Sequence, residues 1–298
     1  MRVFLTGATG YIGSAVVQAF RKAGHEVTGL VRSAQKEATL KAAGARAIRG
    51  SIQEPATYEN VAREHDALIH AAFDYSSDGV AADRTVIETL LSAARGASTP
   101  RVLLYASGVW VLGNTGSSPA TESASTERAP PVMAWRPGHE RKVLQAASGN
   151  LLTAVIRAGM VYGDKGGLVS PEFERAAKEG AASYAGAGEN HWSLVHREDL
   201  GRLYVLVAER RGSGIFHGVD GHPLRVAEIA KAISEAAGQG GKTRSIAIEE
   251  ARRQLGPVAD ALCLDQLVIA PRSTELGWKP AYRDFLSSVQ AAYREWIS

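Results

Sequence analysis

The chain has 298 residues, of which 45% are hydrophobic and 22% charged, a composition typical of a globular protein large enough for one α/β domain with a smaller lobe. Its formal net charge is only +3 and its basic residues are dispersed, so we expect no nucleic-acid partner. The single cysteine, Cys263, excludes an internal disulfide. The sequence shows neither an apolar run long enough to span a membrane nor the pattern of a signal peptide, so we expect a cytoplasmic protein without a membrane partner.

The first half of the chain alternates short apolar runs with longer helical patterns. Strands are predicted at 2–7, 26–32, 46–51, 66–72 and 101–107, and helices at 14–23 and 82–96. Strand–helix alternation builds a parallel sheet, and strands that are apolar at nearly every position fit a sheet covered on both faces. We therefore expect an α/β fold with a Rossmann-type, doubly wound parallel sheet and a smaller C-terminal substrate lobe.

The second half is less regular. A long loop rich in Gly, Ser, Thr and Pro is predicted at 113–131, before a helix at about 137–148. We predict that residues 1–165 form mainly the NAD(P)-binding domain and residues 166–298 mainly the substrate-binding lobe. Segments near 190–215 are expected to return to the first domain.

A glycine loop, TGATGYIG at 6–13, follows the first strand and precedes the first helix, which is the context that makes a glycine pattern specific for a dinucleotide. Gly7 permits the tight turn, Gly10 lets the backbone approach a pyrophosphate, and Gly13 allows the helix to pack closely on the strand. The phosphates would lie at the positive end of the helix dipole. The cofactor-binding residues predicted here are Gly7, Thr9, Gly10, Tyr11, Ile12 and Gly13.

The end of the second strand selects between the two nicotinamide cofactors. An acidic residue there favours NAD because it accepts a hydrogen bond from the adenosine ribose. Here the strand ends in LVRSAQK, so that Arg32 takes this place with Ser33 beside it. A guanidinium pairs well with a 2′-phosphate, and we predict NADP(H); a surface arginine without function is the alternative.

Six segments taken together resemble the extended and atypical short-chain dehydrogenase/reductases, the NAD-dependent epimerase/dehydratase-like superfamily. They are TGATGYIG (6–13), DALIHAA (66–72), RVLLYASGVWVLG (101–113), RAGMVYG (157–163), WSLVHREDLGRLY (192–204) and ELGWKP (275–280). The resemblance implies a Rossmann-type fold and a nicotinamide that rests near Ala71, Ala72, Phe73, Ser107 and Val161.

In that family a Ser or Thr at the end of the fifth strand binds the substrate carbonyl, and a Tyr-x-x-x-Lys pair handles the proton and the ribose. The strand RVLLYAS places Ser107 in the first role, whereas the downstream V-x-G would place Gly108 there; we favour Ser107. The family's spacing to Arg157 places Arg136 at the Lys position and Val132 at the Tyr position. The usual proton donor is therefore absent.

Other side chains could take over part of this chemistry. Arg136 either hydrogen-bonds the nicotinamide ribose, as the Lys would, or forms a surface ion pair with Glu140. His139 is the most attractive substitute acid, since the ordinary pKa of histidine lies near neutrality, although a structural histidine is the alternative. Tyr75 and Tyr162 are further candidates, each with an alternative role in packing.

The resemblance also bears on the substrate. Nucleotide-sugar members carry an Arg that grips the diphosphate after a G-x-G segment, and Trp192 stands there instead, with only one N–H donor. Several apolar side chains fall in segments that border the family's substrate cleft, which suggests an apolar or aromatic substrate; we expect about half of them to line it. They are Phe73, Tyr75, Trp110, Trp135, Met160 and Trp192.

Three functional hypotheses follow. The first is an NADP(H)-dependent oxidoreductase that reduces a carbonyl or related polarised double bond of a small hydrophobic substrate, with Ser107 polarising the acceptor and His139, a tyrosine or water giving the proton. The second is a non-catalytic NADP(H)-binding sensor, and the third a nucleotide-sugar epimerase or dehydratase. No metal site is predicted, because no carboxylate–histidine cluster has ligand spacing. As in relatives, a homodimer could form through the helices near 82–96 and 137–148.

Overall fold

A seven-stranded parallel sheet lies at the centre of the computed structural model, which describes residues 1–298. Its strand order is β3-β2-β1-β4-β5-β6-β11, so the chain runs outward from β1 in both directions. This confirms the predicted α/β, Rossmann-type fold. The strands are β1 (Arg2–Thr6), β2 (Glu26–Val31), β3 (Arg46–Arg49), β4 (Ala67–His70), β5 (Arg101–Gly108), β6 (Leu151–Ala158), β7 (Met160–Tyr162), β8 (Ala182–Ala185), β9 (His191–Trp192), β10 (Leu194–His196), β11 (Gly214–Gly218), β12 (Leu224–Arg225) and β13 (Thr243–Ile246).

Helices cover both faces of this sheet and build the C-terminal lobe. Short 3₁₀ turns occur in addition at Pro55–Thr57, Val109–Leu112 and Pro131–Met133. The α-helices are α1 (Tyr11–Lys22), α2 (Ala34–Ala42), α3 (Glu59–Ala62), α4 (Gly79–Ala94), α5 (Arg136–Gln145), α6 (Ser170–Glu179), α7 (Arg197–Glu209), α8 (Val226–Ala236), α9 (Ile248–Leu255), α10 (Val258–Leu262), α11 (Pro271–Glu275) and α12 (Phe285–Ile297).

Alternate side chains of each strand enter two different apolar clusters. On β1, Phe4 packs with the helices α3, α4 and α5, whereas Val3 and Leu5 pack with α1 and α7. Helices α1 and α7 approach so closely that a Cβ atom on Gly201 would lie 2.7 Å from the carbonyl oxygen of Ala15. The sheet is therefore buried on both faces, as its continuous apolar strands indicate.

The lobe has a core of its own, which includes Phe173, Ile229 and Phe285 from α6, α8 and α12. The chain between 190 and 218 passes back to the sheet, since β10 pairs with β7, α7 covers α1 and β11 joins the sheet beside β6. The Asp199 carboxylate fixes the C-terminal segment at this junction, because it accepts the backbone N–H groups of Ala281 and Tyr282 at 2.7 and 3.0 Å.

One boundary differs from the prediction in a way that matters for the site, and the structure shows the path of the predicted loop. Helix α1 begins at Tyr11 rather than at 14, because the glycine turn leads directly into helical backbone. The predicted loop at 113–131 lies along the segment 265–269, to which it is joined by hydrogen bonds such as that from Ala120 N to Leu267 O at 2.7 Å.

Asp220, which follows β11 at the junction, gives the fold a predictable pH dependence. Its side chain is buried, Oδ1 accepts the His222 N–H at 2.9 Å, and Oδ2 has no partner. Burial raises the pKa of Asp220 from 3.8 to about 7. The folded state holds this proton more tightly than the unfolded state. The contribution of Asp220 to the free energy of unfolding is therefore most favourable below pH 4 and falls as the pH rises towards 7.

We predict that Asp220→Asn, which keeps the bond from His222, stabilises the protein at pH 8 by on the order of 2–3 kcal/mol and has little effect near pH 4. Urea unfolding at the two pH values measures this difference. Equal effects of the substitution at both values would contradict the assignment.

Candidate cofactor and substrate site

The glycine turn between β1 and α1 is too tightly packed for other residues. Gly7 has φ +78°, and a Cβ atom on it would lie 2.5 Å from the carbonyl oxygen of Ala71. A Cβ atom on Gly13 would overlap the carbonyl of Gly7. Gly10 is exposed, and a Cβ atom on it would make a less severe contact, 3.2 Å from the carbonyl oxygen of Gly7.

The turn presents donors suited to an anion. The backbone N–H groups of Tyr11, Ile12 and Gly13 form no hydrogen bond within the chain, and Thr9 lies half-buried beside them without a side-chain hydrogen bond. These groups stand at the positive end of the α1 dipole. The predicted pyrophosphate cradle therefore fits the residues present.

The Tyr11 side chain has a role that the sequence did not indicate. Its hydroxyl donates to the carbonyl of Gly163 at 2.7 Å, and its ring packs against the backbone of Gly166 and Gly167. Arg197 lies over the other side of the ring, 5.1 Å from its centre, and donates to Ser14 Oγ at 2.6 Å. Burial raises the pKa of Tyr11 well above its ordinary value. Tyr11 thus joins the glycine turn to the loop after β7, which leaves only its backbone for a phosphate.

Arg32, just after β2, is exposed and forms neither an ion pair nor a hydrogen bond within the chain. Ser33 caps α2, with its Oγ accepting the N–H of Lys36 at 3.3 Å. Across from Arg32, Asp74 accepts a hydrogen bond from Gln53 Nε2 at 2.7 Å. The Ser76 N–H and, to a smaller extent, the Arg32 charge lower the pKa of Asp74. The Arg32 guanidinium is therefore free for a ligand at this end of the cleft.

The Ser107 hydroxyl is bound to a buried ion pair. Its Oγ donates to Glu140 Oε1 at 2.5 Å, and Arg157 donates to Glu140 Oε2 at 2.6 Å. Ser107 is 8% exposed and the other two residues 2%. Ser107 and Arg157 are register partners in β5 and β6, so their side chains share the face that α5 covers. The expectation that Ser107 polarises a substrate carbonyl is thus not supported by the geometry, and Gly108 offers no hydroxyl in its place.

Arg136, the first residue of α5, lies at the carboxyl edge of the sheet. Its Nη1 donates to the carbonyl of Ala106 at 2.9 Å, and its guanidinium lies 4.4 Å from the centre of the Trp135 ring. Trp135 in turn stacks on Phe73, with ring centres 5.3 Å apart and an angle of 10° between the planes. Arg136 has no carboxylate partner, and Glu140 is committed to Arg157, which excludes the alternative of an Arg136–Glu140 surface pair.

His139 lies in the core between α4 and α5 instead of in the cleft. Its Nδ1 is hydrogen-bonded to Asp83 at 2.7 Å, and Asp83 also accepts the Tyr105 hydroxyl at 2.8 Å, while His70 Nε2 lies 3.3 Å away. Burial alone would raise the pKa of Asp83, but the bond from His139 and the proximity of His70 hold it below its ordinary range. His139 is only 4% exposed, so the geometry does not favour the predicted role of proton donor.

The predicted apolar substrate residues do not form one group. Phe73 and Trp135 lie together beside Arg136, whereas Tyr75 is 93% exposed and contacts only the edge of Phe73. Three further residues pack on the core of the lobe: Trp110, Met160 and Trp192, the last donating its Nε1–H to Leu262 O at 2.9 Å.

The remaining candidates lie around this group. Ala71 and Ala72 are half-buried directly after β4, and Val161 is 8% exposed in β7. Tyr162 is fully buried between His196 and Phe285, and burial raises its pKa well above the ordinary value, which does not suit a proton donor.

Asp83 and Glu140 are the buried residues that organise this region, and the sequence alone did not single out Asp83. The only available signal was one acidic residue on an otherwise apolar face of α4. No three His, Cys, Asp or Glu side chains come together as a metal site in this chain. The structure likewise has no helix with the length and apolar character of a membrane span.

The model of the family described as NAD dependent epimerase/dehydratase matches residues 3–217, which contain the glycine turn, Arg136 and the buried Glu140–Arg157 pair. The chain belongs to this family. Membership confirms the resemblance to the extended short-chain dehydrogenase/reductases and makes the chain an NAD(P)-dependent protein of the oxidoreductase and epimerase type.

Two relatives match along most of their length. An uncharacterised protein of Schizosaccharomyces pombe is 33% identical over 97% of this chain and 98% of its own. The 4-hydroxy-2-methyl-3-oxo-4-farnesyl-3,4-dihydroquinoline-1-oxide ketoreductase of Stigmatella aurantiaca is 26% identical over 85% of this chain and 78% of its own.

Two solved structures share the fold. The human epimerase family protein SDR39U1, with NADPH, superposes with a TM-score of 0.81 at 19% identity and covers 99% of both chains. The Thermus thermophilus UDP-glucose 4-epimerase, with NAD, superposes equally well, with a TM-score of 0.81 at 21% identity over 99% of this chain and 98% of its own. The fold therefore accommodates either nicotinamide cofactor.

We predict that Ser107→Ala lowers the free energy of unfolding by about 1 kcal/mol, since it removes one hydrogen bond, and leaves any NADPH-dependent turnover within a few-fold of wild type. Glu140→Ala leaves Arg157 buried and unpaired, so it should lower the free energy of unfolding by about 3–5 kcal/mol. Denaturant unfolding combined with turnover measures both. Loss of turnover in Ser107→Ala at unchanged stability would restore the carbonyl-binding role of this serine.

Proposed function

We propose that the protein is an NADP(H)-dependent oxidoreductase that reduces a carbonyl, or a related polarised double bond, of a small hydrophobic or aromatic substrate. The observation that carries this proposal is the pair of arginines at the two ends of the nucleotide cleft. Arg32 is free at the adenosine end, and Arg136 is held at the carboxyl edge of β5 beside two stacked aromatic rings.

The chain would hold the cofactor with groups already in place. The N–H groups at the start of α1 bind the pyrophosphate, and the Arg32 guanidinium pairs with the 2′-phosphate. Arg136 replaces the family's Lys as donor to the nicotinamide ribose. When bound, the reduced nicotinamide supplies the hydride.

The substrate side is apolar. Phe73 and Trp135 provide flat apolar surface at the carboxyl edge of the sheet, and Trp192 in place of the family's Arg gives no charge for a sugar-nucleotide diphosphate. The Stigmatella relative is named as a ketoreductase, which supports a ketone carbonyl as the group that is reduced.

No side chain takes over the proton transfer of the missing tyrosine. Val132, at the Tyr position, cannot donate a proton, and a guanidinium is too weak an acid to replace a tyrosine in this role. His139 is turned into the core, Tyr162 lies inside the lobe, and Tyr75 projects into solvent. We infer that water delivers the proton to the reduced substrate, which lowers the rate but does not prevent turnover.

The absence of the Tyr-x-x-x-Lys pair favours a second candidate. A protein with Val132 and Arg136 could bind NADP(H) and report its redox state without turning over. In that case tight binding of NADPH would be accompanied by no consumption with any carbonyl compound.

We predict that the purified protein oxidises NADPH in the presence of acetophenone or menadione. The rate with acetone should be at least about tenfold lower, because only the aromatic acceptors stack on Phe73 and Trp135. The loss of NADPH absorbance measures the rate. Tight binding of NADPH without consumption across such a panel would contradict the reductase and favour the sensor.

The control is a pair of charge reversals. Arg32→Asp should weaken the binding of NADPH by about tenfold or more and leave the binding of NADH almost unchanged, because only NADPH carries the 2′-phosphate. Arg46→Asp, an exposed charge reversal at the opposite end of the neighbouring strand β3, should affect neither. Equal losses for both cofactors in Arg32→Asp would rule out the assignment of NADP(H).

A further inference from the structure

The ring of Trp135, immediately before α5, is held at the carboxyl edge of the sheet by contacts with three side chains. Phe73 stacks on it from the loop after β4, and the Arg136 guanidinium lies over it. Both of these neighbours belong to the proposed cofactor and substrate site itself. The third neighbour, His139, is buried and connects the ring to the interior of the fold.

His139 and Trp135 make an edge-to-face contact. Their ring centres lie 5.0 Å apart, with an angle of 69° between the planes. The two residues are four positions apart, so they stand on the same side of the chain where it enters α5. Such a contact favours one orientation of an indole ring over the others. The orientation of Trp135 therefore depends on how firmly the His139 imidazole is itself held.

Asp83 holds that imidazole in place. His139 Nδ1 is hydrogen-bonded to Asp83 Oδ2 at 2.7 Å, and the same oxygen accepts the Tyr105 hydroxyl at 2.8 Å. On the other side, His70 Nε2 lies 3.3 Å from Asp83 Oδ1, and His70 Nδ1 is hydrogen-bonded to Thr6 Oγ1 at 2.8 Å. All five residues are at most 4% exposed. The carboxylate is thus fixed relative to β1, β4 and β5, and it passes this constraint to His139.

We propose that His139 is a positioning residue, whose imidazole, held by Asp83, orients Trp135 to stack on an aromatic acceptor. Its Nδ1 is committed to the carboxylate, so it acts through Trp135 and not on the acceptor directly. An aliphatic ketone has no ring to stack and is therefore indifferent to the orientation of Trp135. The inference rests on the proposed function, because it assigns to His139 the preference of that reductase for aromatic substrates.

His139→Asn tests this role, since the asparagine amide can still donate to Asp83 but has no ring to place against Trp135. The KM for acetophenone should rise about five- to tenfold, while kcat for acetophenone and the rate with acetone stay within about twofold. In a Trp135→Leu background, His139→Asn should not raise this KM further. Equal losses for both ketones, or an additional loss in the Trp135→Leu background, would overturn the proposal.

Tyr105→Phe is the matched control within the same buried cluster. It removes one hydrogen bond to Asp83 and leaves the contact between His139 and Trp135 intact. It should lower the midpoint of thermal unfolding and leave the KM for acetophenone unchanged. A rise of this KM equal to that in His139→Asn would show that any defect in the cluster has the same effect, and would overturn the proposal.

Circular dichroism at the long wavelengths where only tryptophan absorbs follows Trp135 without turnover. Trp135→Leu defines the contribution of this ring; His139→Asn should lose most of it, and Tyr105→Phe should retain it. A wild-type signal in folded His139→Asn would overturn the proposal. No NADPH consumption by the wild-type protein with either ketone would instead contradict the proposed function, and with it the effect on KM, while the dichroism still decides what orients Trp135.

Asp83→Asn provides a second variant in case His139→Asn does not fold. It keeps the size of the side chain but removes the charge that strengthens the hydrogen bond from His139. The KM for acetophenone and the Trp135 dichroism should change in the same directions as in His139→Asn, and by less. Wild-type values of both in the folded variant would overturn the proposal.

Discussion

The ion pair between Glu140 and Arg157 is the constraint on which the nicotinamide end of the cleft depends. It is almost completely buried and ties α5 to β6, while the Ser107 hydroxyl ties the same carboxylate to β5. Breaking a buried pair by removing one partner costs about 3–5 kcal/mol, so the position of α5 is strongly determined. Arg136 and Trp135 stand at the start of this helix, and their place at the edge of the sheet follows from it.

The two ends of the cleft are built from different kinds of groups. At the adenosine end the glycine turn admits no other residue at Gly7 or Gly13, and the exposed Arg32 follows the second strand without a partner in the chain. At the nicotinamide end the resemblance predicts Val132 and Arg136 at the family's Tyr and Lys positions, and Glu140, four residues after Arg136, lies in the buried pair. The buried pair thus positions a helix whose first residue, Arg136, is a cation stacked on Trp135.

Much of the fold could be predicted from the sequence, because continuous apolar strands and a glycine turn in the right context leave few alternatives. The contacts that the Ser107 and His139 side chains make could not be predicted in this way. The end of β5 could be anchored in two ways that differ by one residue, and such a step turns a side chain to the opposite face of a strand. For His139 the deciding partner is Asp83, 56 positions away in α4, and no local pattern reveals such a contact.

We propose that the buried pair fixes Arg136 as the cation that binds the nicotinamide half of the cofactor. Fluorescence titration with NADPH measures this most directly, with Arg141→Ala, an exposed arginine of the same helix, as the control. We expect Arg136→Ala to raise the Kd for NADPH by about tenfold or more, Arg136→Lys largely to preserve it, and Arg141→Ala to leave it unchanged. An unchanged Kd in Arg136→Ala would contradict the account.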